Sequence, residues 1–276
     1  MPRRHTASLP VPAALPAVTV AALLCLGACA GGGDTAPPPT PSAATAPTAS
    51  ADPGASASAS AAPLSVEVSS GQVTLVITVP GAAIDAPHVA VSDDPADATR
   101  TITLDLAGLP ADDPPTVTLA APRGTLGRNG DGSLTVLDAD DDPVGGLSAP
   151  TGARFVVDGE AVEVRPAGGD DGDGPGEAAT TLGTAGVASA DWGEREGGRS
   201  LAVDATGWAR SAGEAGVDVV WAELVAAEPE VDTATMRDQL ACHAIGAPDK
   251  ATWNLEPWRP DVGLLATMAA RCNPTP

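Results

Sequence analysis

From residue 64 to residue 165, apolar and polar positions alternate with a period of two. Val66 and Val68 lead into Val73, Leu75, Ile77 and Val79. Ile102, Leu104 and Leu106 follow, then Val117 and Leu119, Leu134 and Val136, Phe155 and Val157, and Val162 and Val164. Such a period puts one side of each strand on a core. Turn chemistry separates the runs: Asp93-Asp94-Pro95, Asp112-Asp113-Pro114-Pro115, Asn129-Gly130-Asp131-Gly132 and Asp158-Gly159. Asp158-Gly159, set between Val157 and Ala161, is a hairpin signature. Residues 64–166 therefore predict an all-β domain, an antiparallel sandwich or meander, without helical spacing.

Beyond residue 190 the period changes. Arg199-Ser200-Leu201-Ala202-Val203 alternates after Gly197-Gly198, which predicts one or two strands within 192–209. Val217, Val220, Trp221, Leu224 and Val225 are spaced as on a helix, and Pro229 stops it. Asp232 or Thr233 can cap a second helix with an apolar face of Met236, Leu240 and His243 or Ala244, ended by Gly246. Asp261 can cap a third, on which Leu264, Met268 and Cys272 stack at i, i+4 and i+8. That stacking puts Cys272 on a buried face within reach of Cys242 and predicts a Cys242–Cys272 disulfide. Closing a loop of about thirty residues stabilises by roughly 3–4 kcal/mol through lost chain entropy. Residues 180–276 thus predict a small α+β disulfide-bonded domain. The Gly- and Asp-rich run 167–179 reads as the linker between the two.

The first 63 residues belong to neither pattern. Arg3, Arg4 and His5 precede an apolar run, 17–26, that is too short to span a bilayer as a mature helix. It ends in Leu26-Gly27-Ala28-Cys29, which resembles the lipobox of bacterial lipoproteins. The expectation is a signal peptide over 1–28 and acylation of Cys29, the alternative being an ordinary secretory signal. Two acyl chains give stable anchoring, which places the protein on the outer face of the cytoplasmic membrane, extending into the cell wall. Cys25 would leave with the signal. Cys242 and Cys272 then remain as an even pair in an oxidising compartment. Residues 29–63 are Gly, Ala, Pro, Ser and Thr with only Asp34 and Asp52 charged, a composition that cannot offset ordering entropy and so predicts a disordered tether. Fully extended, it would reach roughly 100 Å.

Charge narrows the partners. The net charge is -22, which excludes nucleic acid and anionic lipid as partners through a basic patch. All five Trp lie at or beyond residue 192, with one Phe and no Tyr elsewhere, so the best-packed core is expected in the C-terminal part. Two acidic runs, Asn129-Gly130-Asp131-Gly132-Ser133 and Asp170-Asp171-Gly172-Asp173-Gly174, offer oxygen ligands at alternate positions. Neither fits the calcium loop of an EF-hand: Leu134 stands where Gly is needed in the first, and Pro175 and Leu182 take ligand positions in the second. They read as turn and linker.

The densest chemistry lies between the two cysteines. His243, Lys250, Trp253, Glu256, Trp258 and Arg259 form a candidate ligand patch, with charges to orient a ligand and indoles to stack on it. The alternative is structural: Glu256 pairs with Arg259, three residues on, and Trp253 and Trp258 fill a core. A Cys242–His243 dyad fails, because neighbours on a helix point about 100° apart and a disulfide removes the thiolate. No catalytic residue, metal ligand or cofactor is assigned.

The strings Gln239-Leu240-Ala241-Cys242-His243, Trp253-Asn254-Leu255-Glu256-Pro257-Trp258-Arg259-Pro260 and Cys272-Asn273-Pro274 resemble an actinobacterial family of secreted proteins and lipoproteins with a C-terminal domain of unknown function (DUF 2599). The resemblance covers about residues 190–276. It implies compartment and architecture and brings no activity. The expectation is a cell-surface lipoprotein that binds rather than catalyses, its ligand a wall glycan, a small molecule or a secreted protein. A hydrolase of wall or extracellular polymer using His243 and Glu256, and a structural or inhibitory module, are the alternatives.

Overall fold

The computed structural model describes residues 63–79, 89–95, 97–106, 117–167 and 176–275. The signal, Cys29, the tether, His88, the Asp112-Pro115 turn and the Asp170-Gly174 run lie outside them. Eleven strands come first: β1 (Leu64–Ser70), β2 (Val73–Val79), β3 (Val89–Asp94), β4 (Thr99–Asp105), β5 (Thr118–Ala120), β6 (Thr125–Arg128), β7 (Leu134–Leu137), β8 (Pro143–Leu147), β9 (Ala153–Asp158), β10 (Ala161–Pro166) and β11 (Glu177–Gly183). They form two antiparallel sheets, ordered β1-β2-β5-β10-β9 and β3-β4-β11-β8-β7-β6. Leu75, Ile77, Leu119, Phe155 and Val164 from the first sheet share one buried cluster with Ile102, Leu104, Leu134, Leu147 and Leu182 from the second. Two antiparallel sheets on one core make a sandwich; the alternation itself predicts an antiparallel all-β domain, as sandwich or meander. The β9–β10 hairpin closes on Asp158↔Ala161 with Gly159 at φ 62°. Val157 departs from the pattern: next to that turn, it lies half exposed beyond the core.

One boundary moves. Residues 177–183 read as the end of the linker and the start of the C-terminal domain, yet β11 lies inside the sandwich, paired with β4 from Glu177↔Asp105 to Leu182↔Arg100 and with β8 at Leu182↔Leu147. Ala178 and Leu182 fill the shared core, so backbone pairing and burial override the composition of the preceding run.

The remaining chain builds a second core. Strands β12 (Val187–Arg195), β13 (Gly198–Ala205) and β14 (Trp253–Leu255) form an antiparallel sheet in that order. Glu196 and Gly197, at φ 52° and 90°, make the β12–β13 turn, the conformation for which Gly is suited. The helices are α1 (Gly207–Ser211), α2 (Glu214–Ala227), α3 (Ala234–Gly246) and α4 (Leu264–Ala269), with a 3-10 turn at Pro229–Val231 after α2. Leu201, Val203, Trp208, Val220, Trp221, Leu224, Met236, Leu240 and Trp253 pack together. The tryptophans do mark a core here, while the sandwich has its own, almost wholly aliphatic.

Two details of the last helix differ from the expected stacking at i, i+4 and i+8. Asp261 accepts only a long 3.4 Å bond from the Gly263 amide, and Gly263 is the N-cap. α4 ends at Ala269, and the chain turns through Arg271 and Cys272, both at positive φ. Thr267 is the buried residue of α4, whereas Met268 is exposed. Cys272 still bonds Cys242, at a Cα–Cα distance of 5.5 Å, because the turn rather than the helix face brings it there. No helix among the described residues is long and apolar enough to cross a membrane.

Candidate functional site

The helix carrying the Gln-Leu-Ala-Cys-His string is set by its cap. Thr233 Oγ1 accepts from the Met236 amide, and Met236 and Leu240 then point into the core. Gln239 and His243, one turn apart, share a face that meets the free edge of β14. Gln239 Nε2 donates to the Glu256 carbonyl at 3.0 Å, and its Oε1 accepts from the Glu256 amide at 3.0 Å. His243 Nε2 donates to the Asn254 carbonyl at 3.1 Å. A sheet edge leaves alternate amides and carbonyls unpaired, and a buried unpaired group costs about 1–3 kcal/mol. Two side chains of α3 therefore stand in for a fourth strand.

His243 is 2% exposed. Burial pushes its imidazole down to about 4, against the bond to Asn254, with Lys250 and Arg259 pushing the same way as burial. It is neutral at physiological pH, and its Nδ1 is buried without a partner.

Glu256 and Arg259 pair with each other through the carboxylate and guanidinium Nε, and both are buried. Arg259 also donates to the Pro274 carbonyl at 3.1 Å and to Glu196 at 2.7 Å. One guanidinium thereby ties the end of β14, the C-terminal segment and the tip of the β12–β13 hairpin. Trp253 is wholly buried and donates from Nε1 to the Ala247 carbonyl, with Arg210 4.9 Å from its ring. Trp258 lies outside, 39% exposed, stacked 4.5 Å from Arg259 and seated on Gly198, where any side chain would collide with the indole. Lys250 is exposed at the far end of β13, on a shallow cleft of about 490 Å³ with Asp204, Arg210 and Asp249.

The six candidate residues are thus not one patch. His243, Trp253, Glu256 and Arg259 are internal, and Trp258 and Lys250 face solvent at opposite ends of a strand. Among the described residues, no three His, Cys, Asp or Glu side chains gather in a way that could hold a metal ion.

Other residues gained roles. Asp131, read as a turn residue, does accept from Ser133 within its own turn. Its other oxygen accepts from the Glu214 amide at 2.7 Å, while Ser133 Oγ accepts from the Ala215 amide. The β6–β7 turn of the sandwich therefore supplies the N-cap that Gly213 cannot give α2. Burial works against the Asp131 charge, but the bonds from Ser133 and Glu214 outweigh it and hold the carboxyl below its ordinary value. Trp208 adds a second tie, donating to the Thr181 carbonyl with its ring against Gly183. A local motif carries no signal for a partner more than eighty residues away. Between α2, α3 and the β7–β8 turn runs a groove of about 500 Å³, lined by Asp142, Asp218, Trp221, Val225, Asp232 and Arg237.

Residues 187–275 match the family described as Protein of unknown function (DUF2599), in agreement with the resemblance of the motif strings. Uncharacterized proteins of Mycobacterium tuberculosis and Mycobacterium bovis are 49% identical over 69 residues, 24% of this chain and 47% of theirs. One from Mycobacterium leprae is 39% identical over 61 residues, 21% of this chain and 50% of its own. The chain spans about half the length of these curated relatives. No solved structure matches it.

Proposed function

We propose that this chain is a lipid-anchored surface protein that acts by binding, with a C-terminal domain held off the membrane by the tether. The observation that supports binding over hydrolysis is the burial of the would-be catalytic pair. The donor of His243 is used on Asn254, and Glu256 is used on Arg259, behind 2% and 1% exposure. A general base must come within about 3 Å of the proton it removes, and neither group reaches solvent. The anchor rests on the Leu26-Gly27-Ala28-Cys29 string. The ligand is a wall glycan, a small molecule or a secreted protein, and the surface charge makes nucleic acid a poor partner.

Two measurements test this. Cys29→Ser should shift the protein from the membrane fraction to the medium, and retention of the variant on the membrane contradicts the anchor. Incubation of the intact chain with purified wall polymer should yield no new soluble fragments. Fragment release that Glu256→Gln abolishes, with folding intact, contradicts the binding reading and restores the hydrolase.

A further inference from the structure

Eight large apolar side chains are exposed among the described residues. Leu64, Val91 and Val157 lie singly on strands of the sandwich, where isolated exposure is ordinary. Four of the other five fall within eleven positions: Trp258, Val262, Leu265 and Met268. Leu265 and Met268 are one turn apart on α4 and form a short ridge, and Val262 lies just before the helix, ahead of its Gly263 N-cap. Leu265 is 85% exposed, so it does almost no work inside its own fold. Burial of α4 is met instead by Thr267 and by the disulfide at Cys272. A clustered apolar ridge on a soluble domain marks a contact surface.

Charge beside the ridge says what would cover it. Asp261 immediately precedes Val262, and Asp238 on α3 is close enough that the Asp261 charge, after burial, raises its carboxyl above the ordinary value, with only Arg237 opposing. Asp238 has no side-chain partner among the described residues. A second copy would set the same two carboxylates and a charge of -22 against themselves, and an anionic bilayer would meet the same repulsion. A cation delivered with apolar surface relieves both the exposed ridge and the paired carboxylates.

We propose that the apolar surface of Leu265 and Met268, with Val262 before it and Asp238 and Asp261 beside it, is a docking surface for a basic amphipathic segment of another protein. Its apolar face covers Leu265, and its Lys or Arg residues meet the two carboxylates. The ridge is small against the roughly 800 Å² per partner of a standard interface, so the contact is an anchor of modest affinity. The proposal rests on the binding reading and specifies its partner.

The test uses the intact chain and a fluorescent helical peptide of leucine and lysine, with its leucine–glutamate counterpart as control, read by anisotropy. Saturable binding of the lysine peptide alone is expected. Leu265→Gln should weaken it at least tenfold while leaving the melting temperature unchanged. Asp238→Asn with Asp261→Asn should weaken it several-fold and flatten its salt dependence. Equal binding by wild type and Leu265→Gln means attraction to general acidity and overturns the proposal. So does absence of saturable binding, or a melting temperature that falls in Leu265→Gln because the ridge is packed internally. A wild-type dimer that Leu265→Gln dissociates assigns the ridge to a second copy and overturns it too. None of these outcomes alters the Cys29 or wall-polymer results, so failure here is separable from failure of the binding reading.

Discussion

Replacing Arg259 by Met tests the inner frame of the C-terminal domain most severely. Glu256 is 1% exposed and Arg259 3%. Arg259→Met strips the carboxylate of its cation and also removes the bonds to Pro274 and Glu196. Breaking a buried pair from one side costs about 3–5 kcal/mol, because the surviving charge has neither water nor a partner. Replacing both members by apolar groups of similar size is often near neutral. Glu256→Leu with Arg259→Met should therefore recover most of the loss, giving a coupling of 2 kcal/mol or more by the order of magnitude of that principle. Glu256→Leu alone should cost less than Arg259→Met, since Glu196 and the Pro274 carbonyl still hold the guanidinium. Urea unfolding followed by tryptophan fluorescence reads this region directly, because all five Trp lie in it. A loss below about 1 kcal/mol for Arg259→Met, or simple additivity in the double variant, refutes the reasoning.

Three further outcomes follow from the same geometry. The folded His243 titrates near 4, below its ordinary 6.5, so the unfolded chain binds the proton more tightly. Its contribution is complete above about pH 6.5 and is lost as pH falls toward 4, about 2 kcal/mol by pH 5. His243→Gln should flatten that slope in urea titrations at pH 7.5 and 5. Asp131→Ala removes the cap on α2 and should cost about 1–2 kcal/mol at neutral pH. Because that carboxyl lies below its ordinary 3.8, the difference should persist down to about pH 4 and shrink only in stronger acid. Cys242→Ala with Cys272→Ala should lower stability by roughly 3–4 kcal/mol, measured by the same unfolding, and in the wild type the buried disulfide should resist reduction until the domain opens.

The period-two runs were legible because each strand keeps one face on a shared core, as Val73 to Val79 does. β8 escaped notice because Pro143-Val144-Gly145-Gly146-Leu147 has too few side chains to show a period. Its glycines make room for neighbours: a Cβ on Gly146 would lie 2.8 Å from the Cβ of Ala215, and one on Gly145 3.0 Å from Val73. β11 was masked by the Gly- and Asp-rich run before it, although Ala178, Thr180 and Leu182 alternate as buried positions. The helices α2 and α3 announced themselves by spacing and by Thr233. The disulfide was legible as a pair, but the left-handed turn at Cys272 was not, since nothing in Ala270-Arg271-Cys272 signals positive φ. At the candidate site, residue types alone suggested a patch. Only the position of α3 against the edge of β14 shows that Gln239 and His243 are spent on backbone, and that Glu256 and Arg259 are spent on each other.

That distinction between internal frame and working site is decided most directly at the His243 imidazole. Long-range proton–nitrogen NMR of the intact protein, followed from pH 8 to pH 5, reports its tautomer and its titration. A neutral ring protonated at Nε2, with shifts that stay constant down to about pH 6 and only begin to move near pH 5, is the expected result. An imidazole that titrates near 6.5, or that carries its proton on Nδ1, would mean that His243 is free to act at the surface, and would contradict the account.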